Sequence, residues 1–205
     1  MTVRVKICGV TSLEDALAAV RFGADALGFN FWPGSRRFVS PVEARAIVRR
    51  LPPLVTAVGV FVDPGHDEAV AAAAISGVQV LQLHGAESPG FCRTFQMPVL
   101  KALAVGGPEA LAAADPYAGV SGLLLDAPTA GHGGSGQPCH WPTARILAER
   151  APVILAGGLH PGNVAAAIAA VRPYGVDVAS GVESSPGVKD HLLMARLIAA
   201  AKESP

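Results

Sequence analysis

VRVKICGVTSLEDALAAVRFGADALGFNF, residues 3–31, joins an apolar strand to an alanine-rich amphipathic segment and a second apolar strand. Strand–helix–strand units of this kind build parallel sheets. Because side chains alternate along a strand, Lys6 and Cys8 share one face of the first strand, and Ile7 lies on the other. The first strand ends at Cys8, which is where an α/β barrel presents reactive groups.

The same alternation continues along the whole chain. The predicted strands are Val3–Cys8, Ala26–Phe31, Thr56–Val62, Val78–His84, Val99–Ala102, Gly122–Asp126, Val153–Ala156 and Val176–Ser180. The predicted helices are Leu13–Arg21, Pro41–Arg50, Asp67–Ala74, Pro89–Phe95, Pro108–Ala114, Pro142–Glu149, Pro161–Val171 and Lys189–Lys202. Such a series fits an open doubly wound sheet or a closed (β/α)8 barrel, and the even spacing and the count of eight favour the barrel. The first strand is not followed by the glycine fingerprint of a dinucleotide site. We therefore predict one (β/α)8 TIM-barrel domain, of the α/β class, over residues 1–205.

Composition excludes several classes of protein. Charged residues make up only 16% of the 205, and the formal net charge is zero, so we expect no nucleic-acid partner. We find no apolar run of membrane-spanning length and no signal-peptide pattern, so we expect no membrane partner. Three widely spaced cysteines do not suggest a disulfide framework, and a cytoplasmic location is the expectation.

Polar, reactive and glycine residues collect at the predicted carboxyl ends of the strands, the end where barrels carry their active sites. They are Cys8-Gly9, Asn30, Asp63, His84-Gly85, Asp126, Gly157-Gly158 and Ser180-Gly181. The last two pairs follow the seventh and eighth strands, where glycine lets backbone N–H groups approach an anion closely. We therefore predict a phosphate site at Gly157, Gly158, Ser180 and Gly181.

Two loops add candidates for anion binding. The loop after the second strand contains adjacent arginines, of which one can pair with a carboxylate or a phosphate while the other faces solvent. The loop after the sixth strand, residues 131–136, is rich in glycine and includes His132 and Gly134. Cys139-His140 suggests a metal only weakly, because two adjacent ligands lack partners at usable spacing.

These pieces in this order resemble the phosphoribosylanthranilate isomerase family, (β/α)8-barrel enzymes of tryptophan biosynthesis. The resemblance rests on runs spread over the whole chain: residues 6–9, 23–29, 33–41, 58–61, 82–85, 125–126, 133–136, 156–159 and 176–183. Two places depart from the family pattern, residues 137–141 and Ala127-Pro128, and both touch the loop after the sixth strand.

The resemblance implies an Amadori rearrangement of N-(5'-phosphoribosyl)anthranilate to 1-(2-carboxyphenylamino)-1-deoxyribulose 5-phosphate, with a phosphorylated small-molecule substrate and neither cofactor nor metal. Cys8 would be the general base and Asp126 the general acid. Arg37 would bind the anthranilate carboxylate, and the loops at Gly157-Gly158 and Ser180-Gly181 would hold the phosphate. From their positions in the sequence we also expect Gly134 to contact the substrate and His84, at a strand end, to support the mouth. A homodimer stays open as an alternative to a monomer.

The chemistry makes demands on the first strand. A general base must be ionised, so we expect the pKa of Cys8 to be lowered, with Lys6 favouring the thiolate. We also predict that Lys6 pairs inside the barrel with Asp177 of the eighth strand, the neighbour of the first. Other functions stay open: a sugar-phosphate lyase or epimerase, an aldolase-like enzyme with Lys6 as Schiff base, or a phosphate-binding barrel without activity. The related dual-substrate isomerases use two aspartates, so Cys8 favours the single-substrate enzyme.

Overall fold

Eight parallel strands close into a barrel in sequence order, each followed by at least one helix. The computed structural model describes residues 2–128 and 139–204. The barrel strands are β1 Arg4–Cys8, β2 Ala26–Asn30, β3 Thr56–Phe61, β4 Val80–Leu83, β5 Val99–Ala104, β6 Gly122–Asp126, β7 Val153–Leu155 and β8 Gly175–Val178. The α-helices are α1 Leu13–Phe22, α2 Pro41–Val48, α3 His66–Ser76, α4 Pro89–Cys92, α5 Ala110–Ala114, α6 Trp141–Ala148, α7 Val164–Val171 and α8 His191–Lys202. The predicted (β/α)8 barrel is confirmed.

The connection after β8 differs from the sequence-based prediction. A 3₁₀ helix, Ser180–Val182, and an antiparallel hairpin, β9 Glu183–Ser185 with β10 Val188–Lys189, precede α8. The predicted start of the last helix at Lys189 is wrong, because Asp190 caps α8 by accepting the N–H groups of Leu192 and Leu193. Lys189 therefore lies in a hairpin strand, and its side chain is completely buried.

The strand register brings the two ends of the barrel sheet together. β1 pairs with β2 on one side and with β8 on the other, and Lys6 lies opposite Asp177 in the second pairing. Val5 and Ile7 face outward into the main hydrophobic cluster between barrel and helices. Since side chains alternate, Lys6 and Cys8 face the barrel interior.

Buried apolar side chains form two clusters. The larger joins the outward face of the strands to the helices, and it contains Leu123 and Leu125 of β6. The smaller contains Ala102, Leu124 and Ala156, on the inward face of the strands. Alternation along β6 thus feeds both clusters, and the strand ends at Asp126, half-buried at the rim.

The helices are short and begin at clear sequence signals. Ser40 and Glu43 form a reciprocal capping box at the start of α2, and Ser12 caps α1 by accepting the N–H of Asp15. The longest of the described helices, α8, has 12 residues. None of the helices in residues 2–128 and 139–204 has the length and hydropathy that a membrane crossing requires.

Candidate active site

Cys8 lies at the carboxyl end of β1 beside a buried ion pair. Lys6 Nζ donates to Asp177 Oδ1 at 2.8 Å, and both side chains are less than a tenth exposed, which confirms the predicted pair. Gly28 of β2 leaves room for the two β1 side chains. A Cβ built on it would lie 2.7 Å from Cys8 Sγ and 3.1 Å from Lys6 Nζ. The backbone of β2 is therefore in close contact with the thiol.

The pKa of the Cys8 thiol is raised, and burial is the largest cause. The charge and hydrogen bond of Lys6 act in the opposite direction, and the charge of Asp177 partly cancels them. The expectation of a lowered pKa is wrong, because desolvation of the thiolate outweighs the attraction of a cation that is already paired. Lys6 nevertheless favours the thiolate, as predicted.

Asp126 ends β6 and has two neighbouring donors. Its Oδ1 accepts the backbone N–H of Ala127 at 2.8 Å, and its Oδ2 lies 3.5 Å from Nε2 of His84. On the other side of the ring, Nδ1 of His84 is 2.9 Å from the amide nitrogen of Gln82. With that nitrogen donating to Nδ1, the ring proton of a neutral His84 lies on Nε2, facing Asp126.

The two predicted phosphate loops touch one another. Gly157 and Gly158 have φ of +84° and +60°, a left-handed backbone that favours glycine. A Cβ on Gly181 would collide with the carbonyl oxygen of Leu159, so the loop after β8 lies against the loop after β7. A Cβ on Gly157 would lie 3.1 Å from Oδ1 of Asp126, so the same loop also borders the carboxylate.

Arg37 has a partner that the sequence does not predict. Its Nε and Nη2 donate to Oε1 and Oε2 of Glu183 at 2.8 and 2.7 Å. Lys189 Nζ donates to the same Oε1 at 2.8 Å. Burial alone would raise the pKa of Glu183, but the hydrogen bond from Arg37 and the charge of Lys189 overcome it and lower that pKa.

A family model described as N-(5'-phosphoribosyl)anthranilate isomerase matches residues 5–200 of the chain. The chain belongs to this isomerase family. The N-(5'-phosphoribosyl)anthranilate isomerase of Desulforudis audaxviator is 52% identical over 203 residues, 98% of each protein.

Two solved structures of this family are also similar. A phosphoribosyl anthranilate isomerase in complex with reduced 1-(o-carboxyphenylamino)-1-deoxyribulose 5-phosphate is 41% identical, with a TM-score of 0.89 over 98% of both chains. Monomers generated from the dimeric isomerase of Thermotoga maritima are 40% identical, with the same TM-score and coverage. The similarity to these solved isomerases therefore extends over the whole barrel.

The residues that the sequence analysis considers fall into three groups. Arg37, Cys8, His84, Asp126 and the glycine pairs all lie at the carboxyl ends of the barrel strands or in the loops that follow them. Gly134 and His132 lie outside the described residues. Cys139 and His140 have structural surroundings, since burial raises the pKa of Cys139 to about 12 and His140 caps α6. Within the described residues, no group of three or more His, Cys, Asp or Glu could hold a metal ion.

The sequence does not identify the residues that hold Arg37 and His84 in place. Glu183 and Lys189 contact Arg37 directly or through one another, and Gln82 contacts His84. The only available signal was alternation: Gln82 lies two residues before His84 on β4 and shares its face. Nothing in the spacing of Arg37 and Glu183, 146 residues apart, indicates their ion pair.

Asp63 was expected at the mouth as a strand-end polar residue, and its contacts tie two loops together. Its Oδ1 accepts the N–H of Ala86 at 2.6 Å, and its own N–H donates to Glu87 at 2.9 Å. Glu87 pairs at 2.7 Å with Lys101, and both side chains are only 2% exposed. This cluster fixes the turn that follows His84.

Proposed function

We propose that this chain is a phosphoribosylanthranilate isomerase of tryptophan biosynthesis, with Cys8 as general base and Asp126 as general acid. The observation that carries the proposal is a thiol at the end of β1 and a carboxylate at the end of β6, with glycine loops after β7 and β8. A phosphate held at those loops would put the sugar over the mouth, with a base and an acid reaching it from different strands.

The reaction needs only proton transfers. Asp126 donates a proton to the furanose ring oxygen while the nitrogen lone pair expels that oxygen from C1', which gives an open-chain iminium ion. Cys8, as the thiolate, removes the proton on C2', and the C–H electron pair neutralises the iminium and forms an enolamine. Loss of the C2' hydroxyl proton and protonation of C1' then give the ketone. C1' is reduced and C2' oxidised within one molecule, which makes the enzyme an aldose–ketose isomerase of the intramolecular oxidoreductase type.

Substrate binding uses residues around the same mouth. The phosphate would accept hydrogen bonds from the backbone N–H groups of Gly157, Gly158 and Gly181 and from the hydroxyl of Ser180. Arg37 would bind the anthranilate carboxylate. His84 supports Asp126, since its Nε2–H faces Oδ2 of that carboxylate and orients it toward the sugar.

The test is the loss of phosphoribosylanthranilate fluorescence with the wild-type protein and two variants. Cys8→Ala and Asp126→Asn should each lower kcat by a factor on the order of 10² to 10⁴, the usual contribution of one positioned proton-transfer group. The matched controls are Cys92→Ala, a buried cysteine of α4, and Asp67→Asn, a fully exposed carboxylate on α3.

The controls should keep wild-type turnover. If Cys8→Ala and Asp126→Asn also keep it, the acid–base assignment is wrong. If the wild-type protein itself does not consume the substrate, the lyase and the phosphate-binding functions take its place.

We further propose that the chain forms a homodimer through the amino-terminal end of the barrel. Leu54 is 95% exposed there, beside a cavity of about 290 Å³ whose wall includes Val58, Val80 and Leu100. A solved relative is described as dimeric. The molar mass from light scattering should be that of a monomer for Leu54→Glu. It should be that of a dimer for the control Leu192→Glu, at an exposed position of α8. A wild-type monomer would refute this proposal.

We also propose that residues 1–205 form one catalytic domain and that it works in the cytoplasm. Cys8, Cys92 and Cys139 are free thiols, which suits a reducing compartment. Proteolysis should remove no independently folded piece, and cell fractionation should recover the activity in the cytosolic fraction. An independently folded fragment would contradict the single domain, and activity in another fraction would contradict the cytoplasmic location.

A further inference from the structure

Arg37 has one edge occupied and another available within the described structure. Glu183 accepts from Nε and one Nη2 proton, which are the donors along the side of the guanidinium. The parallel pair of N–H groups at its end, on Nη1 and Nη2, can donate to the two oxygens of a second carboxylate. Arg37 and Ser180 line a common cavity of about 370 Å³, so a ligand there can contact both.

Glu183 is itself held in place by buried contacts. Its side chain is 4% exposed, and its Oε1 accepts from Lys189 Nζ at 2.8 Å and from the N–H of Gly187 at 3.2 Å. The Lys189 side chain is fully buried. A buried carboxylate with this many donors cannot turn away from Arg37 without leaving charges unpaired, so its position is fixed.

Lys189 connects this carboxylate to the strand that carries Cys8. Its Nζ donates to the carbonyl oxygen of Cys8 at 2.6 Å and lies 3.4 Å from that of Ala179. Arg37 reaches the same strand end by packing, because a Cβ on Gly9 would collide with Cδ of Arg37. Arg37 is thus linked to the strand end that carries the thiol in two ways, by hydrogen bonds through Glu183 and Lys189 and by its packing on Gly9.

We propose that Glu183 and Lys189 are positioning residues that hold the end of Arg37 toward the substrate's carboxylate, at a set distance from Cys8. This rests on the proposed function, in which Arg37 binds that carboxylate. Glu183 does not compete with the substrate, since the two carboxylates use different edges of one guanidinium. The pair contributes to specificity, because a substrate without the carboxylate forms no ion pair with the oriented arginine.

The test compares two ligands by calorimetry. One is the reduced product analogue with its carboxylate, and the other is the same molecule with a hydrogen in its place. We divide the dissociation constant of the ligand without the carboxylate by that of the ligand with it. This ratio isolates recognition of the carboxylate and does not depend on how much of a variant is folded. Glu183→Gln and Arg37→Met should each reduce the ratio about tenfold, the effect of losing a charge-assisted hydrogen bond. Asp25→Asn is the matched control, since Asp25 also accepts from two cations, Arg4 and Lys202, at the other end of the barrel.

The outcomes separate the two levels of the proposal. If Arg37→Met loses the discrimination and Glu183→Gln keeps it, the positioning role of Glu183 is wrong and the role of Arg37 stands. If neither variant loses it, the assignment of Arg37 is wrong as well. Loss in Glu183→Gln alone would show that Glu183 does not act through Arg37. Loss in Asp25→Asn would make the effect a general consequence of disrupting an ion-pair cluster.

A second measurement addresses the connection to Cys8. The charged groups around the thiol are Lys6, Asp177, Lys189 and Arg37, with Glu183 between the last two. Glu183→Gln leaves two cations without their carboxylate, so it should lower the pKa of Cys8, and Lys189→Met removes a cation and should raise it. The rate of alkylation of Cys8 against pH, resolved by mass spectrometry of its peptide, measures both. Shifts in the same direction, or none, would overturn the proposed connection.

Discussion

Lys6→Met should separate the stability of the barrel from the reactivity of its thiol. The substitution removes the cation of a pair in which Lys6 is 3% and Asp177 8% exposed, and it leaves a carboxylate buried without a partner. Breaking such a pair from one side costs about 3–5 kcal/mol in the free energy of unfolding. Removing both charges, in Lys6→Met/Asp177→Val, should recover most of that loss, because an apolar pair of similar volume replaces the ion pair.

The thiol should behave differently from the fold. Lys6 lowers the pKa of Cys8 and Asp177 raises it, so Lys6→Met should raise that pKa further, and the double variant should shift it less. Urea unfolding gives the stability, and alkylation of Cys8 against pH gives the thiol pKa. An unchanged pKa in Lys6→Met would refute the view that Lys6 favours the thiolate. A stable Lys6→Met protein would refute the view that Asp177 depends on it.

Three other substitutions test separate parts of the mouth. Gly181→Ala would force the loops after β7 and β8 apart at Leu159, so KM should rise about tenfold through lost phosphate contacts, and an unchanged KM would place the phosphate elsewhere. The pKa of Glu183 lies below its ordinary value of 4.5, so the stability that its ionised form contributes is complete above pH 4.5 and is lost as the pH falls below it. The free energy of unfolding should therefore fall more steeply between pH 6 and pH 3 for the wild-type protein than for Glu183→Gln. Parallel curves would contradict this. Lys101→Met leaves the buried carboxylate of Glu87 without its cation, so it should lower the free energy of unfolding by about 3–5 kcal/mol. The double variant Lys101→Met/Glu87→Gln should be the more stable of the two in urea, and the reverse order would be evidence against the buried pair.

The fold could be predicted because its signals are local. Each strand is a short apolar run, and each is followed by a segment with helix-start residues. The count of eight such units favours a closed barrel over an open sheet. Closure in turn predicts one distant contact, since the first and eighth strands of a barrel must be neighbours. That is why Lys6 and Asp177, 171 residues apart, could be paired from sequence.

The site was only partly predictable, for two physical reasons. Strand ends indicate which residues reach the mouth, but they do not give the second partner of a side chain, and Glu183 of the unpredicted hairpin occupies one edge of Arg37. The sequence also cannot weigh burial against charge. Lys6 was correctly expected to favour the thiolate, yet its effect is outweighed by desolvation and reduced by its own partner.

The charges around Cys8 explain how one barrel end can serve both the thiol and an anionic substrate. Three cations, Lys6, Lys189 and Arg37, meet two carboxylates, Asp177 and Glu183. Lys6 is matched by Asp177 and Lys189 by Glu183, so the remaining positive charge belongs to Arg37, the most exposed of the three cations at 17%. In the proposed function, a substrate carboxylate would pair with this remaining charge beside Cys8. The protein as a whole carries no formal net charge, so the proposed recognition of an anionic substrate would depend on this local excess and on the backbone of the glycine loops.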